Sequence, residues 1–241
     1  MRRPFVSSAR GATVPAHASG PFLYRLALAT LGRLVRVVYR VRVEGVDHVP
    51  DRGPMILAAN HRSFMDSIFL ALTSPRPISF LAKAEYFDSG LTRWLFNATG
   101  QIPVRRGSPA GARRALAAAS EVLAHDGAVG TYPEGTRSRD GMLHRGRRGP
   151  ALLALDCAAP IVPVGLVGTE AVQQPSQRMP RPFKTVQVRY GQPIGVCTDP
   201  NGDSRAARSR TVTNVVMHDI AALCGQPYVD SFSEIPASST S

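Results

Sequence analysis

Met55-Ile56-Leu57-Ala58-Ala59-Asn60-His61-Arg62-Ser63-Phe64-Met65-Asp66 is the stretch on which the fold reading turns. Five apolar residues with no polar interruption read as a strand buried on both faces, the pattern of a parallel sheet covered by helices. An amphipathic helical stretch follows from about Ser67 to Leu72. His61 and Asp66 therefore lie at a strand-to-helix junction, where side chains are held rigidly yet face a cleft. Residues five apart on a regular helix sit about 140° apart around the axis, so the spacing places His61 in the turn before the helix. From there the imidazole can fold back onto the carboxylate, which fixes its tautomer and leaves the other ring nitrogen free to take a proton. The seven residues from Asn60 to Asp66 also fit a plainer reading, with Asn60 and His61 as capping or turn residues and Asp66 as a first-turn acid favoured by the helix dipole.

A second cluster favours chemistry. Thr131-Tyr132-Pro133-Glu134-Gly135-Thr136-Arg137-Ser138 follows the short apolar run Ala128-Val129-Gly130, so it too sits at the carboxyl end of a strand. Open α/β sheets place ligands there. Gly135 lets backbone approach a ligand, Thr136 and Ser138 bring hydroxyls, and Arg137 offers a planar fork for phosphate or carboxylate. Taken alone, such a loop reads as a solvated turn.

Together the clusters resemble the glycerolipid acyltransferase family, in particular the bacterial 1-acylglycerol-3-phosphate acyltransferases. Four family blocks occur in order: Asn60 to Asp66 as N-H-x-x-x-x-D, Gly100 to Arg106 as a glycine-led block closing on arginine, Pro133 to Ser138 as P-E-G-T-R-S, and Ile161 to Leu166 as an apolar block around Pro163. The likeness runs from about Gly45 to Gly195. The first and third blocks are specific, and the other two count through order and spacing. Pro103 departs from the pattern, because a bulky apolar or aromatic residue is usual at its position. The resemblance implies His61 as general base with Asp66 as its partner, and Asn60, Arg106, Glu134, Gly135, Thr136, Arg137 and Arg147 as substrate-binding residues. Arg106, Arg137 and Arg147 fall to the acceptor phosphate, with Glu134 orienting a hydroxyl or an arginine. It implies no bound cofactor or metal, an acyl-CoA or acyl-carrier-protein co-substrate, and a lysophospholipid acceptor.

The residues permit that chemistry. Acyl transfer from a thioester to an alcohol needs a base near the hydroxyl and a group to hold the imidazolium that forms. There is no G-x-S-x-G elbow, and Cys157, Cys197 and Cys224 lie outside both clusters, so direct attack by the acceptor is expected rather than a covalent acyl-enzyme. Three scattered cysteines without a C-x-x-C pair also argue against a zinc site or a disulfide framework and point to a reducing compartment.

At 241 residues with 44% hydrophobic content the chain fits one domain with an ample core. The formal charge of +12 is unusual, and Lys83 and Lys184 are the only lysines among its 29 basic residues. Such an arginine excess fits an anionic membrane, a polyanionic co-substrate or nucleic acid. A non-enzymatic arginine-rich binding module would explain the charge but not His61 with Asp66, and no nucleic-acid partner is expected.

The most apolar long stretch, Pro21 to Val38, is interrupted by Arg25, Arg33 and Arg36, with Arg40 just beyond. At about 100° per residue these four arginines fall within an arc of about 80°, opposite a face rich in leucine. Residues 21–40 are thus expected to form an amphipathic helix at the membrane interface, after a disordered leader over 1–20. An acyltransferase domain over 41–225 and a flexible tail over 226–241 complete the chain. Strands are expected at Arg40 to Glu44, Met55 to Ala59, Ile78 to Ala82, Ile102 to Val104, Ala128 to Tyr132, Ile161 to Val167 and Thr185 to Tyr190. Helices are expected at Ala110 to Ala124, Pro150 to Cys157 and Ser204 to Leu223. The alternation predicts an α/β fold, a largely parallel central sheet flanked by helices. The amphipathic helix, with the lipid acceptor that the resemblance implies, places the protein peripherally or monotopically at the cytoplasmic side of the cell membrane as an expectation.

Overall fold

Met55–Ala59 forms the central strand β2, and all five of its side chains are buried. Met55, Leu57 and Ala59 point to one core, while Ile56 and Ala58 point to the other. That two-sided burial is what an uninterrupted apolar run requires. The computed structural model describes residues 30, 32–35, 37–88, 90, 93, 101–104, 109–177, 179–196 and 202–234.

Seven strands make the main sheet: β1 (Arg40–Glu44), β2, β3 (Ile78–Lys83), β4 (Ile102–Val104), β5 (Ala128–Thr131), β7 (Ile161–Val167) and β8 (Thr185–Tyr190). Their order across the sheet is β1-β8-β7-β2-β5-β3-β4. Every neighbouring pair is parallel except β7 with β8. β2 is flanked by β5, with Ala58 opposite Thr131, and by β7, with Ala59 opposite Val164. The loops leaving β2 and β5 therefore emerge side by side at the carboxyl edge.

One face of the sheet is covered by α1 (Met65–Thr73), through Met65, Phe69 and Leu70. The other carries α2 (Pro109–Ala124), α3 (Gly149–Cys157) and α5 (Arg205–Cys224), through Ala119, Leu123, Leu153, Val216, Met217 and Ile220. A one-turn α4 (Thr169–Val172) follows β7. Ser204 caps α5 by accepting from the Ala207 amide at 3.2 Å, as its position before the helix predicts. The last turn of α5 lies close against β7. A Cβ at Gly165 would meet the Leu223 carbonyl carbon at 2.5 Å, so only glycine allows that approach.

Two expectations change at the ends of the chain. The helical residues described at the N-terminus stop at Val38, short of the expected helix end at residue 40, and Arg40 opens β1 as the expected strand has it, its amide donating to Lys184 O at 3.0 Å. This helical segment also packs: Val35 and Tyr39 are buried while Leu34 and Val37 stand out of the core. The leader and residues 21–29 lie outside the described residues. Among the described residues no helix is long and apolar enough to cross a membrane. At the other end, the start of the expected flexible tail is structured. Tyr228–Val229 forms β9 and pairs in parallel with β6 (Leu143–His144). Tertiary pairing holds this segment, which has no local pattern strong enough to mark a strand. Residues 235–241 lie outside the described residues.

Candidate active site

His61 sits in the turn between β2 and α1, and its Nδ1 lies 2.8 Å from Asp66 Oδ2. The same carboxylate oxygen accepts the backbone amides of Arg62 at 2.7 Å and Ser63 at 2.8 Å. One buried oxygen thus ties down the whole turn and orients the ring. Ser63 adds a local cap, its Oγ accepting from the Met65 amide at 3.1 Å. Since Asp66 accepts, Nδ1 carries the proton and Nε2 is the basic nitrogen. Among the described residues no hydrogen bond engages that Nε2.

The loop after β5 is stapled to this turn. The Ser138 amide donates to His61 O at 2.7 Å, and the His61 amide faces Glu134 Oε1 at 3.4 Å. Glu134 Oε2 accepts the His144 amide at 3.1 Å. Glu134 is only 1% exposed and serves backbone amides, rather than the hydroxyl or arginine expected of it. Burial pushes its carboxyl up from the ordinary range to about 7, against the two amides that lower it. Tyr132 stacks on His61, with centroids 3.8 Å apart and planes at 12°. Its hydroxyl meets Ser67 Oγ at 2.7 Å. Burial, and next the Asp66 charge, hold that phenol well above its ordinary range, so it stays protonated.

Gly135 turns with φ of +77°, and a Cβ there would lie 2.9 Å from Arg147 Nε. Arg147 is held beside the turn by its amide, which donates to Pro133 O at 2.8 Å, and its guanidinium lies 5.4 Å from the Phe232 ring. Thr136 is buried in the same turn. Arg137 is half-buried and makes no ion pair with any described residue. A cavity of about 300 Å³ opens beside these groups, lined by Arg62, Ser138, Arg139, Glu170, Gln174, Pro175 and Ser176. Its walls are neighbours of His61 and not His61 itself. Arg62 is partly neutralised there by Glu170 at 3.4 Å.

Asn60 is turned inward, away from the substrate contact expected of it. Its Oδ1 accepts the Leu166 amide at 2.7 Å, and its Nδ2 donates to Leu166 O at 2.9 Å and Gln226 Oε1 at 2.6 Å. It clasps β7 and the C-terminal segment to the end of β2, so it positions the His61 turn. Arg106 lies outside the described residues. Pro103, where the block pattern departs, is exposed on β4 at the sheet edge, a place where proline costs no ladder bond. Sequence reasoning gave no role to Tyr132, His144 or Gln226. Tyr132 had a signal in its place beside Pro133, whereas Gln226 reaches the site only through the return of the chain after α5.

The Glu134 carboxyl sets an expected pH dependence of stability. Its native value lies above the unfolded one, so its contribution is whole below about 4.5 and is lost as pH rises through about 7. The shift corresponds to about 3 kcal/mol. Chemical denaturation at pH 5.5 and pH 8 should show the native protein losing stability more steeply than Glu134→Gln. Parallel losses would remove Glu134 as the source.

Comparison with known proteins agrees with this arrangement. The Acyltransferase family profile matches residues 40–167, just over half of the chain, and takes in β1 to β7 with both loops. A 1-acyl-sn-glycerol-3-phosphate acyltransferase of Limnanthes douglasii is 32% identical over 167 residues, 68% of this chain and 58% of its own. The alpha form of the human enzyme of that name is 31% identical over 136 residues, 54% of this chain and 47% of its own. The chloroplastic Arabidopsis thaliana enzyme LPAT1 is 30% identical over 132 residues, which span only 37% of its length. The crystal structure of the 1-acyl-sn-glycerophosphate (LPA) acyltransferase PlsC from Thermotoga maritima superposes with a TM-score of 0.66 at 26% identity, covering 82% of this chain and 78% of that one. Fold, motif order and the profile match converge, and the chain belongs to the acyltransferase family.

Proposed function

We propose that the protein transfers a fatty acyl group from a thioester, acyl-CoA or acyl-carrier protein, to the free hydroxyl of 1-acylglycerol-3-phosphate, giving phosphatidic acid. The observation that carries this reading is the His61 Nδ1 contact to Asp66 at 2.8 Å with the opposite ring nitrogen unengaged. The acceptor oxygen attacks the thioester carbonyl carbon while His61 Nε2 takes the hydroxyl proton. Asp66 stabilises the imidazolium and does not itself take the proton. As the carbon–sulfur bond breaks, the imidazolium returns a proton to the leaving thiolate. Tyr132, stacked on the ring, limits its swing.

Support for a phosphate-bearing acceptor comes from the cations beside the third block. Arg137 and Arg147 are without carboxylate partners among the described residues, and Arg139 lines the adjacent cavity. A guanidinium fork suits phosphate, and cations that no carboxylate engages at the edge of the site are available to an anionic acceptor. The activity named for the relatives above supports the same acceptor.

Incubating the protein with labelled acyl-CoA, acyl-carrier protein and a panel of lysolipids, with products read by mass spectrometry, tests the reading. Transfer to lysophosphatidic acid above other lysolipids is expected, and no product from any pair would overturn it. Arg137→Ala should raise the apparent KM for the phosphate-bearing acceptor by about 10–100-fold while that for the donor changes little. Lysine should rescue only part of the loss, since it cannot form the planar fork. Equal losses toward both substrates would make Arg137 a structural residue.

A further inference from the structure

Apolar tips stand in solvent on two neighbouring segments. Leu34 is 60% and Val37 81% exposed on the N-terminal helical segment, and Met179 is 78% and Phe183 80% exposed on the loop after α4. The segments are laced together. The Phe183 amide donates to Val38 O at 2.9 Å, and the Arg40 amide to Lys184 O at 3.0 Å. The loop is also pinned at its other side, where the Arg181 amide donates to Val172 O at 2.7 Å. Phe183 has φ of 59°, a left-handed backbone that a bulky residue adopts rarely and only where its surroundings hold it there. A ring held outward on such a backbone is not explained by packing.

The charge in the sequence that flanks these tips has one sign. Residues 30–43 carry Arg33, Arg36, Arg40 and Arg42, and residues 173–184 carry Arg178, Arg181 and Lys184, while neither stretch contains an aspartate or glutamate. The loop also leads to the chemistry, because Gln174, Pro175 and Ser176 at its start line the cavity beside Arg62 and Ser138.

We propose that the Met179–Phe183 loop, with Leu34 and Val37, docks on an anionic bilayer. The apolar tips enter the acyl-chain boundary, and the flanking cations Arg33, Arg40, Arg42, Arg181 and Lys184 meet the headgroups. Apolar tips with only basic residues in their flanking sequence suit a negatively charged lipid surface. This adds a contact downstream in sequence, the Met179–Phe183 loop, to the amphipathic stretch expected over residues 21–40. It rests on the acyl-transfer reading only in that a lipid acceptor would enter the cavity from the same plane.

The test compares the full chain with Met179→Ser/Phe183→Asn in flotation with vesicles of equal parts phosphatidylcholine and phosphatidylglycerol. Asparagine takes a left-handed backbone more readily than phenylalanine, so the variant keeps its loop. The expected result is a loss of vesicle partitioning on the order of a hundredfold, about tenfold for each side chain withdrawn from the acyl region, with an unchanged melting temperature. Native protein should also bind pure phosphatidylcholine vesicles at least about tenfold more weakly, since the cations then lack partners. Unchanged partitioning of the variant overturns the proposal. A lowered melting temperature with unchanged partitioning does so too, and would mean that residues 1–29 cover the patch. Partitioning is read without turnover, so a failure of this surface and a failure of the acyl-transfer reading give different results.

Discussion

A His61→Ala protein is expected to fold normally and to lose acyl transfer by at least about 10³–10⁴-fold. General-base assistance alone is worth about 10²–10⁴-fold, and removing an oriented imidazole takes away base and orientation together. The fold should survive because the turn is held by groups the substitution leaves in place. Ser138 N still reaches the carbonyl of residue 61, the amide of residue 61 still faces Glu134, and Asp66 still accepts from Arg62 N and Ser63 N. What is lost is the ring's stack on Tyr132 and one hydrogen bond, about 1–2 kcal/mol. Single-turnover transfer measured beside a thermal melt checks both halves. A folded variant with near-native transfer would remove His61 from the chemistry.

Asp66→Asn should lower kcat by about 10²–10³-fold with little change in either KM. The amide oxygen can replace Oδ2 toward the Arg62 and Ser63 amides, so the turn persists. The imidazolium formed during transfer then loses its counter-charge, and the proton on Nδ1 is no longer fixed by a carboxylate. The new NH₂ would take the place of Oδ1, which is buried and has no partner among the described residues. An unsatisfied buried donor costs about 1–3 kcal/mol, so the melting temperature should fall measurably as well. The decisive readout is the pH–rate profile. If Asp66 acts through the imidazolium, the profile shifts with the substitution; if it only holds the turn, kcat falls at all pH values without a shift. An unchanged rate would leave Asp66 as a capping acid.

The apolar run of β2, the five-residue step from His61 to Asp66 and the turn chemistry of Pro133 to Gly135 were legible because each is a local pattern tied to a local geometry. Strand β2 has no polar residue to place in water, so it had to be a covered strand, and His61 could meet Asp66 only from outside the helix. The expected strands Arg40–Glu44, Met55–Ala59, Ile102–Val104, Ile161–Val167 and Thr185–Tyr190 coincide with β1, β2, β4, β7 and β8 for the same reason. Sequence also supplied the arginine excess, which bears on the chemistry of the partners and not on the fold.

Tertiary structure decided the rest. Only the sheet order, with β5 and β7 flanking β2, brings the His61 turn against Glu134 and lets Asn60 clasp Leu166, 106 residues away. Asn60 therefore holds the frame, though its place next to His61 had made it look like a substrate ligand. The same holds for Glu134, whose neighbours in sequence offer a hydroxyl and an arginine but whose neighbours in space are the amides of His61 and His144. Residues 226–232 look like a tail because they lack periodicity, yet Gln226 binds Asn60 and Phe232 lies against Arg145 and Arg147. Periodicity reports which face of an element is apolar. It carries no information about which distant backbone amide or carbonyl will lie within hydrogen-bond reach, and that depends on how the packed layers place the ends of their strands.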